Sequence, residues 1–311
     1  MPKIICSQFD EFERVMLRIN SRFIPTKPGT HDWLHHSVDL GDVTIAINQL
    51  GSGTIHSGAM YKGTYSLFIP LSRPGSCRIY GQEMEPGLIG WFVPDVETYS
   101  YSREALLWLG ITIEQKHILQ WVAQQPENFL PGLKAHRVGL GNTKMIDELA
   151  DLIKRALHVD AIDPFAAQPA RCLETLREQV LDASYFAVQS VGPSDERSHG
   201  RPRLSRQAII RKAATFIDAS FDDSISVRDL CAACRVSSRT LHSVFLEEIG
   251  VSPHRYLMLK RLSAIHIALT RGGTDRTVAS ICAKYGVWDF GRFASLYRRV
   301  FGVLPSQALR Q

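Results

Sequence analysis

Apolar and polar positions along this chain fall into two regimes. From about Gly41 to Glu114 the apolar residues come in short blocks rich in β-branched and aromatic side chains: VTIAINQL, YSLFIPLS, CRIYG, LIGWFVP and LLWLGITI. Gly, Pro, Ser and Asp separate them, and this punctuation predicts short strands in an antiparallel sandwich or barrel. From about Thr143 to Val191 the spacing changes to three and four. MIDELADLIKRALHV sets Ile146, Leu149, Ile153 and Leu157 on one stripe. After Asp163-Pro164 a second stripe holds Leu173, Leu176, Val180 and Leu181. Two amphipathic helices are expected there. They would cover either the β-rich block or a contact with another domain or subunit.

QSVGPSDERSHGRPRL (189–204) has no apolar period and reads as a linker. The expected division is therefore a β-rich domain with C-terminal helices over 1–190, a linker over 191–204 and a helical domain over 205–311. In the last, helices are predicted at about Ser205–Ala219, Val227–Arg235, Ser238–Ile249, Pro253–Thr270, Thr277–Tyr285 and Asp289–Phe301, with a short one from Pro305.

That helical region repeats itself. LHSVFLEEIGVSP (241–253) aligns with FASLYRRVFGVLP (293–305) at an offset of 52, pairing Leu241 with Phe293, Phe245 with Tyr297, Gly250 with Gly302 and Pro253 with Pro305. Upstream the offset is 51, pairing Val227 with Val278 and Leu230 with Ile281. Each unit reads as helix, tight turn, helix, with the one-residue difference in the turn. Ser237 or Ser238 is positioned to cap the second helix of the first unit, and Asp289 that of the second. In helix-turn-helix folds the second helix enters the major groove of DNA.

The outer faces of these second helices suit that task. Gly291 and Ser295 are small, so the backbone can come close to a partner. Arg292, Arg298 and Arg299 offer forked donors for guanine edges or phosphate oxygens. The first unit presents Arg239, His242 and Ser243. An intervening helix of about 18 residues would span roughly 27 Å, enough to set two such helices in successive major grooves about 34 Å apart.

Charge strengthens this reading. The net charge of +5 conceals an acidic body and a basic end: residues 1–200 hold 18 Lys and Arg against 23 Asp and Glu, and residues 201–311 hold 18 against 8. A basic domain of net +10 is the electrostatic footprint of a polyanion binder. No apolar run reaches membrane-spanning length, and MPKIICSQFDEFERV lacks the apolar core of a signal peptide, so a cytoplasmic protein without a membrane partner is expected.

The six cysteines are scattered. Cys231 and Cys234 form a lone C-x-x-C inside a helical pattern, which reads as packed thiols rather than a metal or redox site. In HDWLHH, His31 and His35 would share a face if the segment were helical, yet no third ligand accompanies them; packing or surface histidines are expected, and no metal or cofactor. His56 lacks the paired histidines and carboxylate of metal-dependent small-barrel enzymes. There is no phosphate-cradling loop, nucleophile elbow or catalytic carboxylate pair.

At VRDLCAACRVSSRTLHSVFLEEIGVSPHRYLMLKRL and TVASICAKYGVWDFGRFASLYRRVFGVLPSQAL the chain resembles the AraC/XylS family of transcription regulators, over about Ser205 to Arg310. The resemblance implies two recognition helices per monomer on one side of the DNA. Carried over, Arg239, His242 and Ser243 in the first unit and Gly291, Arg292 and Ser295 in the second are candidate base readers, and Arg298 and Arg299 candidate phosphate contacts. Val287 and Trp288 depart from the family's commoner aromatic–polar turn. His242 and Ser243 replace longer polar side chains often found there.

The resemblance also implies an α+β architecture. An N-terminal antiparallel β-barrel-like (cupin-like) domain with helices would bind a small-molecule effector and support a homodimer. Promoter DNA and, for an activator, RNA polymerase are the implied partners. Arg73, Arg78, Tyr80 and Trp91, with Tyr65, are candidates for an anionic effector's pocket; the alternative is that the aromatics are core and the arginines solvated. A DNA-tethered barrel enzyme and a ligand-independent architectural DNA binder are the rival readings.

Overall fold

Alternation along the N-terminal strands sends every second side chain to one face, and both faces find partners. The structure, a computed structural model, describes residues 3–16, 19–123, 136–159, 169–192, 205–219, 225–271 and 277–309. The strands are β1 (Ile4–Cys6), β2 (Ile19–Pro25), β3 (Trp33–Asp39), β4 (Val43–Gln49), β5 (Thr54–Met60) and β6 (Thr64–Pro70). Then follow β7 (Cys77–Ile79), β8 (Gln82–Glu83), β9 (Leu88–Phe92), β10 (Glu97–Ser102), β11 (Leu107–Glu114) and β12 (Arg137–Leu140). Helix α1 (Phe9–Val15) lies between β1 and β2, and α2 (Gln115–Ala123) follows β11.

These strands form two antiparallel sheets, in the orders β1-β3-β4-β11-β6-β9-β12 and β2-β5-β10-β7-β8. Neither closes on itself; the two open sheets face each other, the sandwich of the two expected arrangements. Segment 31–36 runs into β3, so His31 and His35 share no helix face. His35 instead hydrogen-bonds Asn48 Oδ1 at 2.7 Å and Ser37 Oγ at 3.1 Å.

On the larger sheet one face is almost wholly apolar. Val43, Ile45, Leu67, Ile69, Ile89, Trp91, Leu109, Ile111 and Ile113 are buried there in one cluster. Helices α3 (Thr143–Val159) and α4 (Pro169–Gln189) cover it. Ile146, Leu149, Ile153, Leu157, Val180 and Leu181 from the two predicted stripes are all buried in that cluster, and Leu173 is exposed. The helices thus pack on the sheet of their own chain, which settles the choice left open by their periodicity. The opposite face, toward the second sheet, is mixed: an aromatic cluster of Phe12, Phe23, Trp33 and Trp108 fills part of the space.

The C-terminal helices lie close to their expected limits. They are α5 (Arg206–Ala219), α6 (Val227–Cys234), α7 (Ser238–Glu248), α8 (Pro253–Thr270), α9 (Val278–Lys284), α10 (Phe290–Phe301) and α11 (Pro305–Ala308). Helix α8 is the axle: Tyr256, Leu259, Leu262, Ile265, His266 and Leu269 are all buried. Cys234 is buried, and its Sγ lies 3.6 Å from the Ile209 carbonyl; Cys231 is half-buried and also a free thiol. Apart from Val191 and Gly192, the expected linker at 191–204 lies outside the described residues, as does the Cys172 side chain. No described helix is both long and apolar enough to cross a membrane.

The two halves share one core. Ile24, Ile55 and Tyr99 of the sheets belong to the same buried cluster as the helical domain. Polar contacts reinforce it: Arg271 reaches Asp10 Oδ2 at 3.2 Å, His266 Nε2 meets Gln8 Oε1 at 2.8 Å, and Arg78 donates to the Leu246 carbonyl at 3.3 Å.

Candidate nucleic-acid interface and ligand cavity

The duplication extends to the capping atoms. Ser226 and Thr277, 51 apart, each cap the first helix of a unit by accepting from the backbone N–H three residues on, Asp229 and Ser280. Ser237 and Asp289, 52 apart, cap the second helices by accepting from the N–H groups of Thr240 and Arg292. Each turn contains one left-handed residue, Arg235 (φ 56°) in the first unit and Gly286 (φ 67°) in the second. These two are still 51 apart, so the extra residue lies between the left-handed position and the cap. A satisfied cap contributes about 1 kcal/mol and sets where each helix starts.

Both second helices end the same way against the same body. Gly250 and Gly302 have φ of 76° and 78°. A methyl built on Gly250 would lie 2.2 Å from Tyr101 Cδ1, and one on Gly302 3.5 Å from Pro28 Cβ. Tyr101 and Pro28 belong to the β-rich half. The C-terminal ends of α7 and α10 therefore both abut that half, and their N-terminal ends point away from it.

The outward faces are exposed. Arg239, His242 and Ser243 on α7 and Gly291, Arg292, Ser295, Arg298 and Arg299 on α10 all face solvent, while Leu241, Val244, Phe245, Phe293, Tyr297 and Val300 on the opposite faces are buried. Two hydroxyls among these residues are engaged internally. Ser243 Oγ donates to Glu247 Oε1 at 2.7 Å, and Glu247 pairs with Arg206 at 2.9 Å. Ser295 Oγ donates to the Gly291 carbonyl at 3.1 Å. A methyl on Gly291 would meet nothing nearer than Asp289 Oδ1 at 3.8 Å, so its own fold does not require the glycine.

Two aromatics at the tip of α10 were not singled out as contacts in the sequence. Trp288 is 75% exposed and Phe290 44%, on either side of the capping Asp289. Trp288 and Arg292 border a groove of about 580 Å³ between α8 and the two units, lined also by His254, Met258 and Arg261. The available signal was the departure at Val287-Trp288, where a large apolar side chain takes a usually polar turn position.

Between the sheets lies a cavity of about 350 Å³. Its walls include His35, Ser37, Thr44, Asn48, Ser66, Phe68, Trp108, Gly110 and Thr112 from one sheet and Ser21, Phe23, His56, Thr98 and Ser100 from the other. Burial holds His56 neutral, with its pKa lowered to about 4, and it contacts Ser21 Oγ at 3.1 Å. Burial also lowers the pKa of His35, against an opposing pull from its Asn48 hydrogen bond. Among the described residues no three His, Cys, Asp or Glu side chains converge as a metal site.

The four residues expected at an effector pocket do not line this cavity. Trp91 is fully buried on the opposite face of β9, against Tyr65 (centroids 5.4 Å apart) and beneath α3 and α4. Strand alternation sends Phe92, not Trp91, toward the cavity. Arg73 is a solvated ion pair with Glu104 at 2.7 Å. Arg78 is held by Glu83 and the Leu246 carbonyl, and the Tyr80 hydroxyl donates to the Glu97 carbonyl. Arg78 and Tyr80 thus serve the junction with the helical half. The cavity's own residues were hard to find because its walls mix small hydroxyl, aromatic and aliphatic side chains drawn from ten strands.

Comparison with known proteins bears on the helical half. Residues 230–311 match the helix-turn-helix domain family. Similar relatives include the XylDLEGF operon transcriptional activator of Pseudomonas putida, 32% identical over 115 residues, which are 37% of this chain and 34% of that protein. Another is the probable thc operon regulatory protein of Rhodococcus erythropolis, 30% identical over 110 residues, 35% of this chain and 33% of the relative. The match thus spans about a third of the length of these relatives. Among solved structures, the AraC-like transcriptional activator CuxR aligns over 85% of this chain and 94% of its own, at 13% identity and a TM-score of 0.43. With two capped helix-turn-helix units in register and activators as its sequence relatives, the C-terminal third of this chain is a double helix-turn-helix domain similar to those of AraC/XylS-type transcriptional activators.

Proposed function

We propose that the protein is a sequence-specific DNA-binding transcription regulator that reads two segments of one DNA face and responds to a small molecule held between its sheets. The observation that carries this is the pair of exposed, basic recognition faces on helices whose C-terminal ends both rest on the β-rich half. Arg239, His242 and Ser243 would read one segment, and Gly291, Arg292 and Ser295 the next. Arg298 and Arg299, in the last turn of α10, would hold phosphates. Residues 1–190 would form the sensing and dimerising part, and 205–311 the DNA-reading part. A homodimer on promoter DNA, working through RNA polymerase when it activates, completes the reading.

Selection of random duplexes by the purified full-length protein tests this. The expected outcome is a two-part site with parts about one helical turn apart, bound with a steep inverse dependence on salt. No enrichment over random duplex, with or without cell extract as a source of effector, would overturn it.

A further inference from the structure

The face of the large sheet that looks across at its partner sheet is the wrong kind of surface for a packed sandwich. Reading across β3, β4, β11 and β6 in register, one row is His35, Asn48 and Trp108. The next is Ser37, Ala46, Gly110 and Phe68, and the third is Asp39, Thr44, Thr112 and Ser66. The reverse face of the same strands carries Ile, Val and Leu beneath the helices. Apolar residues would have closed the space between the sheets; small and hydroxylated ones leave it open.

The polar groups in this space are not all satisfied by one another. Thr44 Oγ1 is buried and has no hydrogen-bond partner among the described residues. Asn48 is 2% exposed; its oxygen accepts from His35 Nδ1, and no described residue accepts from its amide nitrogen. Trp108 is 7% exposed, and its indole N–H likewise has no acceptor among the described residues. These two donors converge over a gap in the sheet. A methyl on Gly110 would lie 3.5 Å from Asn48 Nδ2 and 4.0 Å from Trp108 Nε1. Two donors that open onto the cavity from largely buried side chains, side by side at the floor left by a glycine, suit an acceptor oxygen entering from outside the chain.

Charge narrows the class. The two cavity histidines are neutral, as described above. Arg14 is the only lysine or arginine among the described cavity residues; its guanidinium is tied to Asp10 at 3.7 Å and to the Asp10 carbonyl at 3.2 Å, and its side chain is 62% exposed. Asp39 adds an acid at the exposed edge. A buried carboxylate or phosphate would therefore lose its hydration with no unengaged cation among the described residues to replace it. Around the donor pair the walls are aromatic: Phe68 lies against Trp108 with centroids 6.0 Å apart, and Phe23 faces across from the other sheet.

We infer that the intersheet cavity binds an uncharged, predominantly apolar small molecule whose carbonyl or hydroxyl oxygen sits over Gly110 and accepts hydrogen bonds from Asn48 and Trp108. This deepens the sensing role proposed above and rests on it. It also replaces the expectation of an anionic effector held by arginines.

Three near-isosteric probes test the class on the full-length protein: acetophenone (uncharged, one acceptor oxygen), ethylbenzene (no acceptor) and phenylacetate (anionic). At pH 7.5 acetophenone should raise Tm, by about 2–4 °C when it supplies about 1 kcal/mol of stabilisation. Ethylbenzene should bind at least tenfold more weakly, and phenylacetate should give no shift at equal concentration. Gly110→Ala adds a methyl at ordinary contact distances, so it should keep the wild-type Tm while lowering acetophenone affinity at least tenfold. Phenylacetate stabilising as well as acetophenone, an unchanged acetophenone response in folded Gly110→Ala, or no response to any probe would each overturn the inference. The duplex selection on the same preparation separates the two readings: DNA recognition without the expected probe response removes only the ligand class, and loss of DNA recognition removes the regulator.

Discussion

His266 ties the helical half to the N-terminal segment through a contact that works only when the ring is neutral. Its Nε2–H donates to Gln8 Oε1 at 2.8 Å, and its Nδ1 accepts from the Tyr297 hydroxyl at 2.6 Å. The ring is 3% exposed and stacks on Phe301, centroids 4.1 Å apart, with Phe9 beyond. Burial lowers its pKa from 6.5 to about 4, with the nearby Asp10 carboxylate opposing the shift. Burial likewise raises the Tyr297 pKa, so that hydroxyl stays protonated and able to donate. A base with a depressed folded-state pKa contributes its full share above the unfolded value. As pH falls below 6.5 the unfolded chain takes up the proton first, and the share is lost down to about pH 4. At about 1.36 kcal/mol per pKa unit, the whole loss is about 3 kcal/mol and the part lost by pH 5 is about 2 kcal/mol. Urea unfolding of wild type and His266→Gln at pH 7.5 and pH 5.0 measures it. The variant is less stable at both values because it lacks the stacked ring, but its loss between them should be about 2 kcal/mol smaller. His56 titrates in both proteins and cancels. Equal losses in the two proteins would refute the assignment of a neutral, interface-locking His266. Hydrogen exchange adds a spatial check, since amides of Phe9–Phe12 in α1 should lose protection at pH 5 in wild type.

Three further outcomes follow from the site geometry. Arg292→Ala should weaken specific binding by about 1–3 kcal/mol and relax preference in one part of the site, measured by titration against selected and scrambled duplexes; equal loss on both would make Arg292 a phosphate contact. Gly291→Ala should raise thermal stability by up to about 1 kcal/mol, because the position is helical and open, while lowering specific affinity if the backbone approaches a base there; calorimetry and duplex titration on one preparation separate the effects. Gly250→Ala should destabilise by at least about 2 kcal/mol, since a methyl would strike the Tyr101 ring on a backbone with φ of 76°. Its repeat partner, Gly302→Ala, should cost only the left-handed backbone penalty of about 1–2 kcal/mol, and denaturant midpoints of the pair would show whether the asymmetry holds.

Much of the helical half was legible in the chain because its signals are local. A helix is announced by a cap, a three-four period and a stop within a dozen residues, and Ser226, Ser237, Thr277 and Asp289 carry those instructions twice over at offsets of 51 and 52. The strands richest in Ile, Val and Leu were equally plain. The segments missed were short or polar, such as β10 (ETYSYS) and β3 (WLHHSVD), whose strand character comes from hydrogen bonds to distant partners. Non-local pairing likewise decided that the sheets stay open, that Trp91 faces the helices while Trp108 faces the cavity, and that Arg78 serves a domain junction. Asn48, Trp108 and Gly110 became a site only when β4 and β11 paired in one register, because one residue of slip would exchange the cavity face for the helix-covered one. The helix-turn-helix units were written in neighbouring residues; the cavity between the sheets exists only where residues as far apart as Ile4 and Thr112 are brought together.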